Sequence, residues 1–238
     1  MPRLIAAIIR HAEYRQLPDT PSAHQPFALT AEGEEQARQA ASMLRETIVS
    51  NGWSLSPVVD TSQLLRAWQT ARIIADQLSD LFAKPLEVIG FDNLAERSLG
   101  SANNLTMNQV ETIVREDPRF PPLPRDWKSN SHYRLPLQGA ESLMEAGARV
   151  AAHLQNRMDA LAQNAKTGTL KLFVGHGAAF RHAAYHLGVL EFDDIARLSM
   201  YHAQPVYIEY IPDNKADHQW RQIGGEWKIR NTGGDYTD

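Results

Sequence analysis

Leu4-Ile5-Ala6-Ala7-Ile8-Ile9 is a run of six apolar residues that stops abruptly at Arg10-His11-Ala12-Glu13. A continuously apolar, Ile-rich run of this length fits a strand covered by helices on both faces, hence a central strand of a sheet. It is shorter than the core of a signal peptide, and no cleavage-like sequence follows it. After it comes a polar, Pro-containing loop from Arg15 to Phe27. Thr30, with Glu34 and Glu35 nearby, then supplies an N-cap and an acidic first turn for a helix reaching about Thr47.

The same alternation continues outward from this first unit. Pro57 to Thr61 reads as a short strand, Leu64 to Leu81 has helical spacing without a breaker, and Leu86 to Ile89 reads as a third strand after a Lys84-Pro85 turn. From Asp92 to Gly139 the pattern loosens, and five prolines between Pro118 and Pro136 deny regular structure to much of that stretch. We read residues 92–140 as an irregular insertion, a lid over the active face. Glu141 to Gln163 is again an amphipathic helix, Gly168 breaks it, Leu170 to Val174 is a strand, and a helix spans roughly Ala178 to Leu187. Pro205 to Ile211 alternates apolar and polar positions, and Trp220 to Ile223 with Glu226 to Arg230 reads as a hairpin turned at Gly224-Gly225. The last residues are polar and expected to be loose. Strands alternating with helices predict an α/β fold with a mostly parallel sheet, formed as one domain over residues 1–238.

Composition narrows the function. Hydrophobic residues at 43% and charged residues at 22% are the balance of an ordinary folded protein. The formal charge of -4 lacks the basic excess that nucleic-acid binding leaves behind, so any anion site must be local. There are no cysteines, which excludes disulfides, thiolate metal sites and a cysteine nucleophile together. No apolar run approaches the roughly 20 residues of a membrane helix, so no membrane partner is expected and a cytoplasmic location is the default. A homodimer is compatible with the sequence, which does not fix the oligomeric state.

In a mainly parallel sheet, ligands bind outside the carboxyl ends of the strands. Those ends carry Arg10-His11, then Thr61-Ser62 leading to Arg66, Glu96-Arg97, and Gly175-His176-Gly177. Arginine presents a rigid fork of donors suited to phosphate oxygens, so Arg10 and Arg66 are candidates to clamp a dianion. A neutral imidazole is a competent nucleophile, and nearby cations favour that form. Glu96 can protonate a leaving oxygen and later take a proton from water, and His176 can donate to the transferring group. The scheme calls for no metal or cofactor. Taken singly each piece has a bland reading: a capping pair at Arg10-His11, a solvated face at Arg66, a surface ion pair at Glu96-Arg97.

Taken in order, the pieces resemble the histidine phosphatase superfamily, which includes the cofactor-dependent phosphoglycerate mutases and the fructose-2,6-bisphosphatase type of phosphatase. Ile8-Ile9-Arg10-His11-Ala12-Glu13 resembles its first motif, and Leu29-Thr30, Gly33 and Gln36-Ala37 the opening of its first helix. Thr61-Ser62, Leu65-Arg66-Ala67 and Gln69-Thr70-Ala71 resemble its second motif, Leu94-Ala95-Glu96-Arg97 with Gly100 its general-acid segment, and Gly139-Ala140-Glu141-Ser142-Leu143 the entry to its long helix. Val174-Gly175-His176-Gly177 resembles the second-histidine motif. The resemblance implies a three-layer α/β/α sandwich with a mixed, mostly parallel sheet. It also implies His11 as the phosphorylated nucleophile, Arg10, Arg66 and His176 as the phosphate pocket, and Glu96 as proton donor. Ala12 stands where glycine is more usual, and Gln16 stands one residue out of register with the family's asparagine as a phosphate-binding amide.

For the remainder of a small phosphorylated substrate the candidates are Arg97, Trp127, Tyr133 and Gly177, with Arg125, Lys128 and Arg134 as further cations. Trp127 and Tyr133 either wall the pocket or pin the insertion to the body. Glu96-Arg97 resembles the mutase form of the third motif, whereas Trp127, Tyr133-Arg134 and Pro136 look closer to the phosphatase form, so hydrolysis is favoured over mutase-type transfer. A non-catalytic phospho-ligand-binding protein is the non-enzyme alternative. A metal hydrolase built on His182, His186 and His202 is the rival enzyme class, but no HExxH pattern accompanies them.

Overall fold

The computed structural model describes residues 2–81, 85–212 and 219–230. Strand β1 (Leu4–Arg10) is buried along its whole length. It pairs in parallel with β5 (Thr169–Gly175) on one side and antiparallel with β7 (Pro205–Tyr210) on the other. With β3 (Val58–Ser62), β4 (Glu87–Phe91) and β8 (Trp220–Gly224), the sheet order is β4-β3-β5-β1-β7-β8, and the short β2 (Ser54–Leu55) adds to the start of β5. The sheet is mixed, with β4, β3, β5 and β1 parallel.

Helices cover both faces, which explains why β1 is apolar without alternation. Ile5, Ala7 and Ile9 pack into a core with α1 (Ala31–Asn51) and α2 (Leu65–Gln77), while Leu4, Ala6 and Ile8 pack into another with α4 (Leu143–Ala162) and α5 (Gly177–His186). Helix α1 starts where Thr30 accepts from the Gly33 amide and runs past Thr47 to Gly52, whose φ of 61° ends it. Helix α2 stops at Gln77, short of Leu81, because Ser79–Leu81 tighten into a 3-10 turn. The Lys84 half of the expected Lys84-Pro85 turn and the polar last residues from 231 lie outside the described residues.

Four features depart from the sequence reading. The segment from 92 to 140 is not irregular throughout, since α3 (Met107–Glu116) lies within it, opened by a capping box of Thr106 and Gln109. The prolines begin only at Pro118, after this helix has ended. A second helix, α6 (Phe192–Arg197), begins at Glu191 and was not foreseen. The last strands do not form a hairpin: β8 pairs with β7, while β9 (Lys228–Ile229) pairs with β6 (Leu198–Ser199). The buried Trp220 ring, 4.8 Å from that of Tyr210, fixes β8 to β7, and Gly225 with φ 75° carries the chain away. Strand β7 is buried at every residue rather than on alternate ones, with Glu209 paired to Arg3 and Arg221.

Candidate active site

Register sets the site. Residues Leu4 to Arg10 pair one for one with Thr169 to Gly175, so His11 and His176 leave the sheet side by side. The His11 amide donates to the Gly175 carbonyl at 2.9 Å, and the two rings stand 5.1 Å apart. The turn after His11 is held by the first two helices: Ala12 N donates to Thr70 Oγ1 (3.0 Å) and Glu13 N to Gln36 Oε1 (2.9 Å). Gly33 is required there, because a β-carbon would fall 1.9 Å from the Glu13 carbonyl oxygen.

Hydrogen bonds fix the tautomers. His11 Nδ1 lies 2.8 Å from the Ala12 carbonyl oxygen, which can only accept, so the proton is on Nδ1 and Nε2 carries the lone pair. Arg66 Nε donates to that Nε2 at 3.1 Å. The same guanidinium donates from Nη2 to His176 Nδ1 (3.2 Å), which leaves the His176 proton on Nε2, facing Ser62 Oγ at 2.9 Å. Arg66 is fully buried, and two more of its N–H donors go to the carbonyls of Ala23 (2.8 Å) and Gln25 (2.9 Å), with its Cζ 4.6 Å over the Tyr14 ring. Arg10 sends Nη1 to the Met200 carbonyl at 3.0 Å. A β-carbon on Gly177 would stand 3.1 Å from Arg10 Cδ, so glycine there lets the start of α5 approach this arginine closely.

Burial, together with Arg66, the opposite imidazole and Arg10, holds His11 well below the ordinary histidine value; His176 is lowered in the same way by burial and then Arg66, His24 and Arg10. Both rings are therefore neutral at physiological pH. The result is an uncharged lone pair next to buried guanidinium groups, an arrangement suited to attack on an anion.

Glu96 is buried beside this cluster, its Oε1 accepting from the Arg97 amide at 2.8 Å. Arg149 braces its segment: Nη1 donates to the carbonyls of Asp92, Asn93 and Ala95 at 3.0 to 3.2 Å, while Nε and Nη2 grip Glu141. Burial lowers the Arg97 pKa, opposed by the charges of Glu96 and Glu141. A pocket opens here, with Glu96, Arg97, Lys128 and Arg181 among its walls.

The structure thus brings together His11, Arg10, Arg66 and His176, with Glu96 and Arg97 adjoining and Gly177 alongside. Gln16 is not drawn in; its side chain donates to the Thr20 carbonyl inside its own loop at 3.3 Å. Trp127 is packed in the small core of the insertion with Leu99, Val110 and Leu135, its indole N–H on Glu111, and Tyr133 packs against the same core. Arg134 pairs with Glu145, and Arg125 is exposed. His182 and His186 hydrogen-bond to the carbonyls of Ala178 and Met144, and His182 is pushed down to about 3, chiefly by burial. Sequence reasoning missed Ser62 as a partner of His176, Gln25 and Ala23 as the seats of Arg66, and Arg149 as the brace for Glu96. It weighed His202 only as a metal ligand, whereas its ring lies 5.7 Å from that of His11.

The family model described as the histidine phosphatase superfamily (branch 1) matches residues 6–222. No curated protein matches the chain. Among solved structures, phosphoglycerate mutase from Bacillus anthracis is 15% identical, covering 94% of this chain and 93% of its own, with a TM-score of 0.68. The mycobacterial glucosyl-3-phosphoglycerate phosphatase is 18% identical with 97% of each chain covered and a TM-score of 0.63. The alpha-ribazole phosphatase from Shigella flexneri is 19% identical, covering 87% of this chain and 90% of its own, with a TM-score of 0.63. At these identities the likeness is one of fold.

Proposed function

The chain belongs to the histidine phosphatase superfamily, and from that premise we propose that it hydrolyses a small phosphomonoester through a phosphohistidine on His11. One observation carries the proposal: Arg66 donates at once to His11 Nε2 and His176 Nδ1, so the only lone pair presented by His11 is already at the guanidinium that would hold a phosphoryl oxygen.

In the first step His11 Nε2 bonds to phosphorus as the bond to the leaving oxygen breaks, and Glu96 gives that oxygen its proton. Arg10 and Arg66 offset charge on the transferring group, and His176 adds a donor once its Nε2 proton turns from Ser62 to a phosphoryl oxygen. In the second step water attacks phosphorus, its proton passes to the Glu96 carboxylate, and the P–N bond breaks to release inorganic phosphate. His11 leaves the cycle as it entered. Guanidinium groups supply the charge compensation, so the scheme asks for no metal ion.

The test is a panel of phosphorylated metabolites and phosphopeptides assayed without added metal, beside His11→Ala. Phosphate release from at least one small phosphomonoester and none by the variant is expected, with an acid-labile, base-stable label on His11 after rapid quenching. Activity that survives His11→Ala would overturn the scheme. Transfer of the phosphoryl group to a second substrate molecule in place of release would move it to the mutase type.

A further inference from the structure

We propose that His24 is a positioning residue for the proton donor: its ring N–H holds the Glu96–Arg97 peptide, and through it the Glu96 carboxyl, in register with the Arg66 clamp. This rests on the phosphatase reading of the neighbouring cluster and adds a residue to it.

His24 is half-buried in the loop between β1 and α1, with Nε2 3.0 Å from the Glu96 carbonyl oxygen. A carbonyl only accepts, so the proton is on Nε2, and the ring donates there whether it is neutral or charged. The amide of the same peptide, Arg97 N–H, donates to Glu96 Oε1 at 2.8 Å. One peptide unit therefore receives from His24 at its oxygen and gives to the carboxyl at its nitrogen. The unit is planar, so fixing the direction of its oxygen fixes the direction of its N–H. A donor on the carbonyl also polarises the peptide and strengthens that N–H. An amide donor at Oε1 favours the bare oxygen there, which puts the proton that Glu96 transfers on Oε2.

The neighbours of His24 tie this contact to the clamp. Ala23 and Gln25, on either side of it, give their carbonyls to Arg66 Nη2 and Nη1. Residues 23 to 25 thus seat the guanidinium and the acid together. Gln25 stiffens the loop that carries them: fully buried, it accepts from Leu17 N at Oε1 (2.9 Å) and donates from Nε2 to the Pro21 carbonyl (3.0 Å). Arg149 reaches the Asp92, Asn93 and Ala95 carbonyls, and His24 takes the next one along the chain.

Two esters of similar size test this. 4-Nitrophenyl phosphate has a leaving group that departs with little help from an acid, whereas benzyl phosphate releases an alkoxide that needs a proton. His24→Ala is expected to lower kcat/KM for benzyl phosphate by about tenfold and that for 4-nitrophenyl phosphate by less than about twofold, a part of what a general acid contributes. Inorganic phosphate, titrated calorimetrically, is expected to bind wild type and His24→Ala alike, because Arg66 keeps its two carbonyls. His24→Gln, which keeps an N–H near the place of Nε2, is expected to restore most of the benzyl rate. Equal losses on both esters, no loss on either, weakened phosphate binding in His24→Ala, or no rescue by His24→Gln overturns the assignment. If wild type turns over neither ester, crystal structures of wild type and His24→Ala decide the positioning. A Glu96 carboxyl that leaves the Arg97 amide in the variant supports it, and one that stays in place overturns it. Absence of phosphate release from the whole metabolite panel overturns only the catalytic scheme.

Discussion

Asp60 in the middle of β3 and Arg66 in the first turn of α2 are both fully buried, yet their charges are met in different ways. Asp60 is surrounded by donors: His153 Nε2 (3.0 Å) and the two cations Arg157 Nε (2.7 Å) and Lys171 Nζ (2.7 Å) all reach its carboxylate. The hydrogen bonds of Arg66 go to two carbonyls and two neutral imidazoles. A buried carboxylate whose two oxygens are both taken up by donors from within the fold ties elements together, here β3, β5 and α4. A buried guanidinium seated on neutral acceptors keeps its charge available for an anion that arrives from outside. The first arrangement suits a structural role and the second the proposed phosphate site, although both look in the sequence like stray charged residues at the edge of an apolar run.

The comparison breaks first at Asp60. Asp60→Asn leaves Lys171 and Arg157 without a carboxylate and is expected to cost about 3–5 kcal/mol in denaturant unfolding. Phosphate release per folded molecule should be retained. A loss of activity beyond the loss of folded protein would show that the cluster reaches the chemistry.

Arg66→Lys inverts that profile. Lysine keeps a charge but lacks the fork that spans His11 and His176, so kcat is expected to drop by about 10²–10³, with a smaller loss of stability than in Asp60→Asn. Equal damage to stability and turnover would remove the distinction.

Acid separates the two clusters by pH window. Burial would push the Asp60 carboxyl up, but the hydrogen bonds from His153 and Arg157 and the Lys171 charge outweigh it and hold it at about 2, below the ordinary 3.8. Its contribution is therefore full above 3.8 and fades as pH falls toward 2, a loss on the order of 2 kcal/mol. His11 and His176 are lowered from 6.5, so the unfolded chain takes up their protons first, and stability starts to fall once pH drops below 6.5. Thermal melts across pH should show the upper decline diminished in His11→Ala and the lower one in Asp60→Asn.

The difference between the clusters also marks what could be read in the sequence. β1 and the charged residues at the strand ends were legible because burial on both faces leaves an uninterrupted apolar run, and a parallel sheet gathers its strand exits at one edge. The quoted residues Thr30, Gly33, Gln36, Gln69 and Thr70 turn out to serve the His11 turn: each bonds or closely packs against residues 12–14 or the strand of loop that ends at Leu29. The Asp60 cluster was not legible, since His153, Arg157 and Lys171 lie 93, 97 and 111 residues along the chain from it, and nothing local in the chain reports the pairing. Ala23 and Gln25 were hidden for another reason. Their backbone carbonyls, not their side chains, seat Arg66, and a carbonyl leaves no mark in a sequence. The hairpin at Gly224-Gly225 failed because two glycines mark a turn without saying which strands flank it, and the choice went to the burial of Trp220 on β7.

Inorganic phosphate gives the smallest effect and the sharpest contrast. A ligand that binds only the folded state stabilises it by RT ln(1 + [L]/Kd), about 1.4 kcal/mol at tenfold excess over Kd. Wild type and Asp60→Asn should gain the same increment in a thermal melt, because the substitution leaves Arg66 and its neighbours in place even when the whole fold is weakened. Arg66→Lys should gain little, since its single ammonium cannot take the place of the guanidinium fork. If Asp60→Asn gained more than wild type, the cations left at Lys171 and Arg157 would be competing for the phosphate, and a carboxylate supplied from within the fold would be what separates a structural cluster from a binding one only while it is present.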